Sequence, residues 1–535
     1  MSPDLIRPST SGVSLRALAE LSEAEADAIP LEVSVTGISL DSRAVRPGDL
    51  YAALPGFNVH GARFSADAVR LGAVAVLTDE AGAAEIERSE GLGVPVLVVD
   101  RPRARLGRLA AAIYGDPGSD LTMIGITGTN GKTTTAYLLE SALQVLGRRT
   151  GLIGTVETRI GDERIDSAHT TPEATDLHAF LAVMRDRGAD TCVMEVSSHA
   201  LHQHRVDGVV YDIALFTNLS QDHLDYHPSM EDYFDVKADL FTPERALAGV
   251  VCVDDAWGRR LVERATVPVT TLSTTGDDAD WVARTDPTGT DSAQPGSSFL
   301  LRGRSGEVRL NLLSHLPGTF NIANTALAAV ALLSLGFPAA QVEAALAVPP
   351  AVPGRMEVVA PGGSDGPRCI VDFAHTPDAI DAALTALRPS TQGRLIAVVG
   401  AGGDRDRDKR GAMGAAAARG ADVVIVTDDN PRSEDPATIR QAVLAGARKA
   451  VSEGTATAAE VIDGGARAQA ISEAVAMAVL DSTGPGADRL DTVDTVVVLG
   501  KGHEKGQEIG GVIHPFDDRD TVRRALAAAA VGGVS

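Results

Sequence analysis

The stretch GITGTNGKTTT, residues 125–135, constrains the fold more than any other part of this 535-residue chain. An apolar run enters a glycine-rich turn, and GKTTTAYLLESALQVLG continues from it with an amphipathic pattern. This pattern predicts a buried strand, a tight turn and a helix whose first N–H groups face an anion. We expect Lys132 to reach the outer phosphates of a nucleotide and the Thr133 hydroxyl to bind Mg²⁺. The alternative is a glycine-rich turn without a ligand.

Short runs of Val, Ile, Leu and Ala alternate with longer helical patterns almost throughout the chain. Such alternation is typical of parallel sheets covered by helices, so the predicted fold class is α/β with a mostly parallel sheet behind the loop. The predicted strands include residues 73–78, 94–99, 122–128, 191–197, 212–218, 395–402, 422–428 and 495–500.

The length of the chain suggests about three domains at roughly 150 residues each. The proline- and glycine-rich segments YGDPGSD and VPPAVPG favour boundaries near residues 117 and 350. The predicted domains are therefore 1–117, 118–350 and 351–535. Residues 273–298 are polar and turn-rich, which indicates a surface excursion or an irregular hairpin.

The charge of the chain restricts its partners. A formal net charge of -24 and a pI near 4.9 argue against nucleic acid, and an anionic substrate would need locally basic pockets. Neither a signal peptide nor an apolar stretch of about 20 residues is visible, so we expect a cytoplasmic protein without a membrane contact. The three distant cysteines, Cys192, Cys252 and Cys369, are expected to be buried thiols in a reducing compartment.

Two polar side chains follow apolar runs downstream of the loop: Glu195 in VMEVSSHAL and His223 in FTNLSQDHLDYH. The carboxyl ends of parallel strands share one edge of the sheet, so both side chains are expected to converge on the nucleotide's metal, Mg²⁺ or Mn²⁺. An exposed strand-end carboxylate and a histidine in a loop network are the alternatives. Lys237, in DYFDVKADLF, cannot ligate a cation as an ammonium, and chemistry alone makes it a surface lysine.

The segments GTNGKTT, MEVSSHAL, TNLSQDHLDYH and YFDVKADLF, in this order and at these separations, resemble the Mur ligases, ATP-dependent amide-bond formers of peptidoglycan synthesis. The resemblance extends over nearly the whole chain, through PGTFNIANTALAA, PGRME, DFAHTPDAI, GAGGDRDRDKR, DDNPRSEDP and GKGHE. It implies a domain for a uridine nucleotide, a central P-loop-type ATPase and a C-terminal, dinucleotide-fold-like domain for an amino acid. Gly128 lies three residues before Gly131, where the common phosphate loop needs five, and Mur ligases share this shift.

The resemblance also implies the nucleotide site. Lys237 would carry a carbamate formed from CO₂, which turns the amine into a carboxylate-like ligand, and Lys132, Glu195, His223 and Lys237 would form the catalytic set. Two Mg²⁺ ions would be held by Thr133, Glu195, His223 and the Lys237 carbamate. The implied ATP contacts are Gly128, Thr129, Asn130, Gly131, Lys132, Thr133, Thr134, Asn321, Asn324, Arg355, Asp372 and His375, with Asn321 and Asn324 near adenine and ribose.

Within the family, residues 36–61 and the DNPR segment look like those of the members that add meso-diaminopimelate to a UDP-N-acetylmuramoyl dipeptide. Arg432 would grip the distal carboxylate of the amino acid bidentately, and Glu504 would pair with its distal ammonium. The implied amino-acid contacts are Arg405, Asp429, Asn430, Pro431, Arg432, Gly500 and Glu504. The implied contacts of the uridine substrate are Leu40, Ser42, Phe57, Asn58, Val59, Thr170, Thr171, Ser197, Gln203 and Arg205.

The implied reaction starts with attack of a D-glutamate carboxylate on the γ-phosphate of ATP. The acyl phosphate that forms is then converted to an amide by the amine of diaminopimelate. Domain closure would bring Arg355 to the phosphates and exclude water. We expect a monomer; the rival functions are a lysine-adding ligase, a folylpolyglutamate synthase, and an ATPase or switch that uses ATP for movement.

Overall fold

The computed structural model describes residues 8–24, 33–56, 58–88, 92–167, 169–285, 296–363, 366–483 and 493–532. The strands are β1 (Val13–Ser14), β2 (Ser34–Val35), β3 (Gly37–Ser39), β4 (Asp49–Ala52), β5 (Ala75–Thr78), β6 (Val96–Val98), β7 (Thr122–Thr127), β8 (Thr150–Ile153), β9 (Glu157–Ile160), β10 (Glu163–Asp166), β11 (Thr191–Glu195), β12 (Ile213–Phe216), β13 (Gly249–Cys252), β14 (Val269–Ser273), β15 (Trp281–Thr285), β16 (Ser297–Gly303), β17 (Arg309–Ser314), β18 (Glu357–Gly363), β19 (Gly366–Asp372), β20 (Leu395–Ala401), β21 (Val423–Asp428), β22 (Glu460–Gly465), β23 (Thr495–Leu499), β24 (Gly506–Ile509) and β25 (Val512–Pro515).

Helices fill the connections between most of these strands. They are α1 (Leu15–Ser22), α2 (Ser65–Leu71), α3 (Glu80–Arg88), α4 (Leu106–Ile113), α5 (Lys132–Val145), α6 (Ala174–Asp186), α7 (Ser198–His202), α8 (Met230–Ala238), α9 (Ala256–Arg264), α10 (Thr319–Ser334), α11 (Ala339–Leu346), α12 (Pro377–Leu387), α13 (Lys409–Gly420), α14 (Pro436–Ser452), α15 (Arg467–Thr483) and α16 (Asp518–Gly532). None of the helices in the described ranges is long and apolar enough to cross a lipid bilayer.

The central sheet has eleven strands in the order β10-β9-β8-β11-β7-β12-β13-β14-β15-β16-β17. Every pair from β8 to β15 is parallel, and antiparallel hairpins extend the sheet at both edges. Successive residues of β7 face opposite sides, since Met123 packs into one core and Ile124 into the other. Both faces of the sheet are therefore covered, and the loop after β7 opens at its carboxyl edge.

Two smaller sheets flank the central one in sequence. The four parallel strands β3-β4-β5-β6 precede it, and the six-stranded sheet β18-β19-β23-β20-β21-β22 follows it, with β18 as its one antiparallel strand. In β20 the apolar side chains again alternate between two cores, with Val399 in one and Val398 in the other. The predicted α/β class with mostly parallel sheets is confirmed.

Each strand predicted from an apolar run forms, with ends shifted by up to two residues. In the 273–298 segment, β15 and β16 pair antiparallel, while residues 286–295 between them lie outside the described residues. Cys192, Cys252 and Cys369 are buried free thiols, as predicted. Burial raises the pKa of Cys192 to about 12, so this thiol is unreactive at neutral pH.

Candidate active site

The loop between β7 and α5 is shaped by two glycines with positive φ. A Cβ on Gly128 would lie 2.0 Å from Thr217 Oγ1, and a Cβ on Gly131 would lie 2.4 Å from Asn324 Oδ1. Both positions therefore need glycine, and Asn324 contacts the loop directly. Lys132 Nζ donates to the carbonyl oxygens of Gly128 and Thr129, both at 2.9 Å. The ammonium is thus folded onto its own loop and must exchange these bonds to reach a phosphate.

The first turn of α5 meets the end of β11 at a carboxylate. Thr133 Oγ1 donates to Glu195 Oε2 at 3.0 Å, and Glu195 is 1% exposed. Thr155 holds the same carboxylate from the other side, with its N–H 2.8 Å from Oε1 and its hydroxyl 3.0 Å from Oε2. The predicted convergence of Glu195 on the loop is thus found in the structure, and Thr155 fixes the orientation of the carboxylate.

Lys237 is a buried side chain, contrary to the surface lysine that chemistry alone suggested. It is 1% exposed, its Nζ donates to Gly128 O at 2.9 Å, and it lies 4.7 Å from the centre of the Tyr233 ring. Burial, reinforced by the neighbouring charge of Lys132, lowers the pKa of Lys237 well below its ordinary value. The lowered pKa favours the neutral amine, which is the form that adds to CO₂.

His223 lies in a cluster of rings beside the loop. Its ring centre is 4.9 Å from that of His199 and 6.1 Å from that of Tyr233, and 42% of its side chain is exposed. Loss of hydration lowers the pKa of His223 to about 3, partly opposed by Asp222, so the imidazole is neutral at pH 7 and can bind a cation. Within the described ranges, no three His, Cys, Asp or Glu side chains form a metal cluster.

Arg355, which lies just before β18 of the C-terminal sheet, reaches the phosphate loop at the carboxyl edge of the central sheet. Arg355 Nη2 donates to Thr133 Oγ1 at 3.1 Å, and its guanidinium lies 4.3 Å from the centre of the Phe373 ring. Asp372 accepts from the N–H groups of Met356 at 2.7 Å and Ala374 at 2.8 Å, so it holds the turn that presents Arg355.

A second set of contacts joins α13 and its preceding loop to the His223 loop. Lys409 Nζ lies 3.7 Å from Asp222 Oδ1, and Arg405 Nη1 lies 4.0 Å from Asp225 Oδ2. Arg405 was predicted for the amino-acid pocket; in this structure it is largely exposed and lies nearest to Asp225, and its predicted role stays a prediction. His375 Nδ1 is 2.8 Å from Phe373 O, and burial lowers its pKa.

The residues predicted for the uridine substrate fall in two connected groups. Leu40, Ser42 and Val59 line a cavity of about 940 Å³, Asn58 is exposed beside it, and Phe57 lies outside the described residues. The second group is bonded to the end of β11. Its contacts are Thr171 Oγ1 to Glu195 O at 2.8 Å, Ser197 N to Thr171 Oγ1 at 3.1 Å, Thr155 Oγ1 to Thr170 Oγ1 at 3.1 Å, Arg205 Nη1 to Thr171 O at 3.1 Å and Arg205 Nη2 to Gln203 Oε1 at 2.8 Å.

Glu173 joins these two groups, and the sequence reasoning missed it. Its carboxylate lies 3.0 Å from Arg205 and 2.8 Å from Arg103, and it lines the 940 Å³ cavity. The signal available was its place in the TTPEAT segment, two residues after Thr171. Arg205 is consequently neutralised in this structure, and an anionic substrate would compete with Glu173 for it.

The 429–432 loop takes part in a cluster of polar side chains at the carboxyl edge of the C-terminal sheet. Lys501, which is fully buried, donates to Glu504 Oε2 at 2.8 Å and to Asn430 Oδ1 at 3.0 Å, and lies 3.5 Å from Asp429 Oδ1. A Cβ on Gly500 would lie 2.8 Å from Asp429 Oδ2, so glycine lets the two segments approach. The sequence reasoning missed Lys501, although it stands inside the GKGHE segment.

Arg432 borders this polar cluster, and its guanidinium is held from two sides. Nη1 donates to Gly403 O at 2.6 Å, and Nε lies 3.3 Å from Glu508 Oε2. The side chain is 24% exposed, so the guanidinium is partly buried but still accessible to a ligand. A fixed guanidinium of this kind suits a carboxylate ligand.

Four non-glycine residues of the loops near the phosphate loop and Arg432 have left-handed backbone angles, and a fifth, His204, lies between Gln203 and Arg205 of the uridine group. The four are His223, Met356, Asp404 and Arg432, with φ of 55°, 46°, 53° and 52°. Such angles cost free energy in L-residues and tend to cluster at functional sites. Each of the four is, or directly adjoins, a residue predicted to bind a ligand.

The chain matches three domains of one protein family in succession. Residues 34–114 match the Mur ligase family catalytic domain, 126–333 the Mur ligase middle domain and 354–502 the Mur ligase glutamate ligase domain. The UDP-N-acetylmuramoyl-L-alanyl-D-glutamate–2,6-diaminopimelate ligase of Streptomyces avermitilis is 54% identical over 97% of this chain and 98% of its own. The ligase of the same name from Streptomyces coelicolor is 53% identical over 96% and 97%.

A solved structure agrees with these sequence matches. It is that of a UDP-N-acetylmuramoyl-L-alanyl-D-glutamate–2,6-diaminopimelate ligase, which superposes with a TM-score of 0.64 at 33% identity, over 97% of this chain and 99% of that one. The family matches, the high identity and the loop, carboxylate and lysine brought together at one sheet edge lead to one conclusion: the chain belongs to the Mur ligase family.

Proposed function

We propose that this protein is an ATP-dependent ligase that joins meso-diaminopimelate to UDP-N-acetylmuramoyl-L-alanyl-D-glutamate during peptidoglycan precursor synthesis. The names of the two Streptomyces relatives support this assignment. The observation that carries it is the hydrogen bond from Arg355 Nη2 to Thr133 Oγ1. This bond connects the C-terminal part of the protein, which contains Arg432, to the phosphate loop. An ATPase that uses ATP for movement would not need an amino-acid pocket there.

The residues near the loop fit the cofactors that the family implies. Thr133, Glu195 and a carbamate on Lys237 would offer the oxygen donors that Mg²⁺ prefers, and neutral His223 would add an imidazole nitrogen. Two Mg²⁺ ions would neutralise charge on the phosphates. The lowered pKa of Lys237 supports the carbamate, since the neutral amine attacks CO₂ and releases a proton. The twelve residues named for ATP, the ten for the uridine substrate and the seven for diaminopimelate keep their proposed roles.

The protein's own groups would act in two stages. Lys132 and Arg355 would balance charge as the D-glutamate carboxylate attacks the γ-phosphate, ADP leaves and the acyl phosphate forms. Glu195 would stay oriented by Thr155. Arg432 would then hold the far carboxylate of diaminopimelate while Glu504 receives the distal ammonium, so that the near amine faces the acyl phosphate. The amine attacks the carbonyl carbon, phosphate leaves, and one proton is lost from nitrogen.

The remaining proposals concern the organisation of the protein. Boundaries near residues 117 and 350 are supported by family matches that end at 114 and 333 and begin again at 126 and 354. We further propose that the protein acts as a monomer in the cytoplasm, where nucleotide-linked precursors are made.

The decisive experiment measures phosphate release by the purified protein with each substrate omitted in turn. A ligase releases phosphate when ATP, the UDP-dipeptide and the amino acid are all present; rapid release with neither acceptor would identify an ATPase instead. Comparing diaminopimelate, lysine and glutamate as acceptors separates the proposal from the lysine-adding and folylpolyglutamate alternatives.

Arg432→Ala tests the amino-acid pocket directly. We expect kcat/KM for diaminopimelate to fall about tenfold or more, because a charge-assisted hydrogen bond is worth about 1.5–3 kcal/mol, while KM for ATP changes little. Arg419→Ala is the control, because it removes the same charge from the last turn of α13, outside the proposed amino-acid site. An unchanged preference for diaminopimelate over lysine in Arg432→Ala would refute the pocket assignment.

A further inference from the structure

The hairpin β24–β25 is bound to the 429–432 loop through its main chain. Arg432 N donates to Glu508 O at 3.0 Å, and Gly510 N donates to Arg432 O at 2.7 Å. Glu508 N also donates to Asn430 Oδ1 at 3.0 Å. Since these bonds use backbone atoms of the hairpin, its attachment does not depend on the side chain of Glu508.

The side chain of Glu508 reaches the same guanidinium that is proposed to bind the substrate. Its Oε2 lies 3.3 Å from Arg432 Nε, while Arg432 Nη1 is fixed by Gly403 O on the other side. The Glu508 side chain is 38% exposed, and partly exposed ion pairs of this kind are weak. A ligand that forms two hydrogen bonds to the guanidinium can therefore displace it.

The neighbouring carboxylates are held by other partners. Glu504 Oε2 accepts from Lys501 Nζ at 2.8 Å and from Asn430 Nδ2 at 2.9 Å, and Asp429 lies 3.5 Å from Lys501. Asp404, whose charge also acts on Arg432, accepts hydrogen bonds from Ser433 N and Oγ at 3.0 and 2.8 Å. Among the described residues, Glu508 is thus the carboxylate that forms an ion pair with Arg432.

We propose that Glu508 is a specificity-determining residue that competes with the amino acid for Arg432. Its carboxylate pairs with the guanidinium until the distal carboxylate of the incoming amino acid replaces it. This inference rests on the proposed function, because it takes Arg432 as the acceptor of that carboxylate. A lysine molecule has no distal carboxylate with which to replace Glu508, and its distal ammonium gains attraction from Glu508 rather than from Arg432.

The test measures initial rates for Glu508→Gln and Glu508→Ala with saturating ATP and UDP-dipeptide, varying diaminopimelate and then lysine. We expect KM for diaminopimelate to fall about two- to fivefold in both variants, the range that corresponds to removing a weak, partly exposed ion pair. The fall in KM should exceed any change in kcat, and kcat/KM for lysine should not rise. Glu460→Gln, an exposed position in β22, is the matched control and should leave both KM values unchanged.

The possible results separate this inference from the proposed function. A KM for diaminopimelate that is unchanged or raised in the Glu508 variants, or an equal improvement with lysine, overturns the competition while the native activity stands. A native protein that makes no product with diaminopimelate overturns the proposed function itself and this inference with it. Thermal melts of both variants, compared with the native protein, show that the hairpin has kept its fold.

Discussion

Asp518→Asn should lower the stability of the C-terminal part of the protein more than the same substitution at an exposed aspartate of the same helix. Arg467, the first residue of α15, donates from Nε and Nη2 to the two oxygens of Asp518, the first residue of α16, both at 2.7 Å. Arg467 Nη2 also donates to Leu499 O at 2.9 Å, which fixes the end of β23 just before Gly500. Both side chains of the pair are 0% exposed, so no water can replace a lost partner.

The size of the effect follows from this burial. Removing one partner of a buried pair leaves an uncompensated charge and costs about 3–5 kcal/mol. For a unit of about 150–250 residues, each kcal/mol lowers Tm by roughly 2–4 °C, so the expected fall is about 6–20 °C. The amide of asparagine can offer one oxygen to the guanidinium, but its NH₂ group opposes the second N–H donor.

The assay is thermal unfolding followed by calorimetry, with Asp520→Asn as the matched control. Asp520 lies two residues after Asp518 in the same helix and pairs with Arg523 at 2.8 Å. The side chains of Asp520 and Arg523 are 67% and 56% exposed. Such a pair contributes about 0–1 kcal/mol, so the control should lose less than about 4 °C. If the two variants melt within about 1 °C of one another, the argument from burial is wrong.

Two further predictions concern the nucleotide site and the effect of pH. Lys237→Ala should lower ligase activity about 100-fold or more, because charge stabilisation at a metal is worth several kcal/mol. Native protein in ¹³C-bicarbonate should show a carbamate NMR signal that the variant lacks, and a native protein without that signal would count against the carbamate. His178 is buried, with its Nε2 donating to Asp207 O at 2.9 Å, and burial lowers its pKa below the ordinary 6.5. The unfolded chain therefore binds the proton first, so this contribution to stability is present above about pH 6.5 and is lost as pH falls through the lowered pKa. The fall in Tm between about pH 7.5 and about pH 5.5 should be smaller in His178→Gln than in the native protein, and an equal fall in both would contradict this assignment.

The sequence predicted the features that depend on local pattern. The loop from β7 into α5 follows from glycine, lysine and apolar spacing within about a dozen neighbouring residues, and Glu195 follows from its place at the end of an apolar run. The parallel sheets follow from the alternation of apolar runs and helical segments.

Contacts made in tertiary structure were harder to predict. Thr155 binds Glu195 across 40 residues, and Glu173 pairs with Arg103 across 70, so neither has a local signal for its partner. Lys237 was misjudged from chemistry alone because its burial depends on how α8 packs against the loop. The carbamate that the resemblance to the Mur ligases implies for this lysine stays a proposal. Arg405 illustrates the opposite case, since an exposed arginine can turn toward any of several neighbouring carboxylates.

The left-handed angles at His223, Met356, Asp404 and Arg432 limit how the thermal stability of this enzyme can be raised by evolution or engineering. Glycine at any of these positions would relieve roughly 1–2 kcal/mol of torsional strain. At His223 and Arg432, however, it would remove the ligand-binding side chain itself, and at Met356 and Asp404 it would loosen the backbone beside Arg355 and Arg405. Selection for heat resistance and selection for turnover therefore pull in opposite directions at these four places. Lineages that have adapted to hot habitats should have gained their robustness in other parts of the polypeptide.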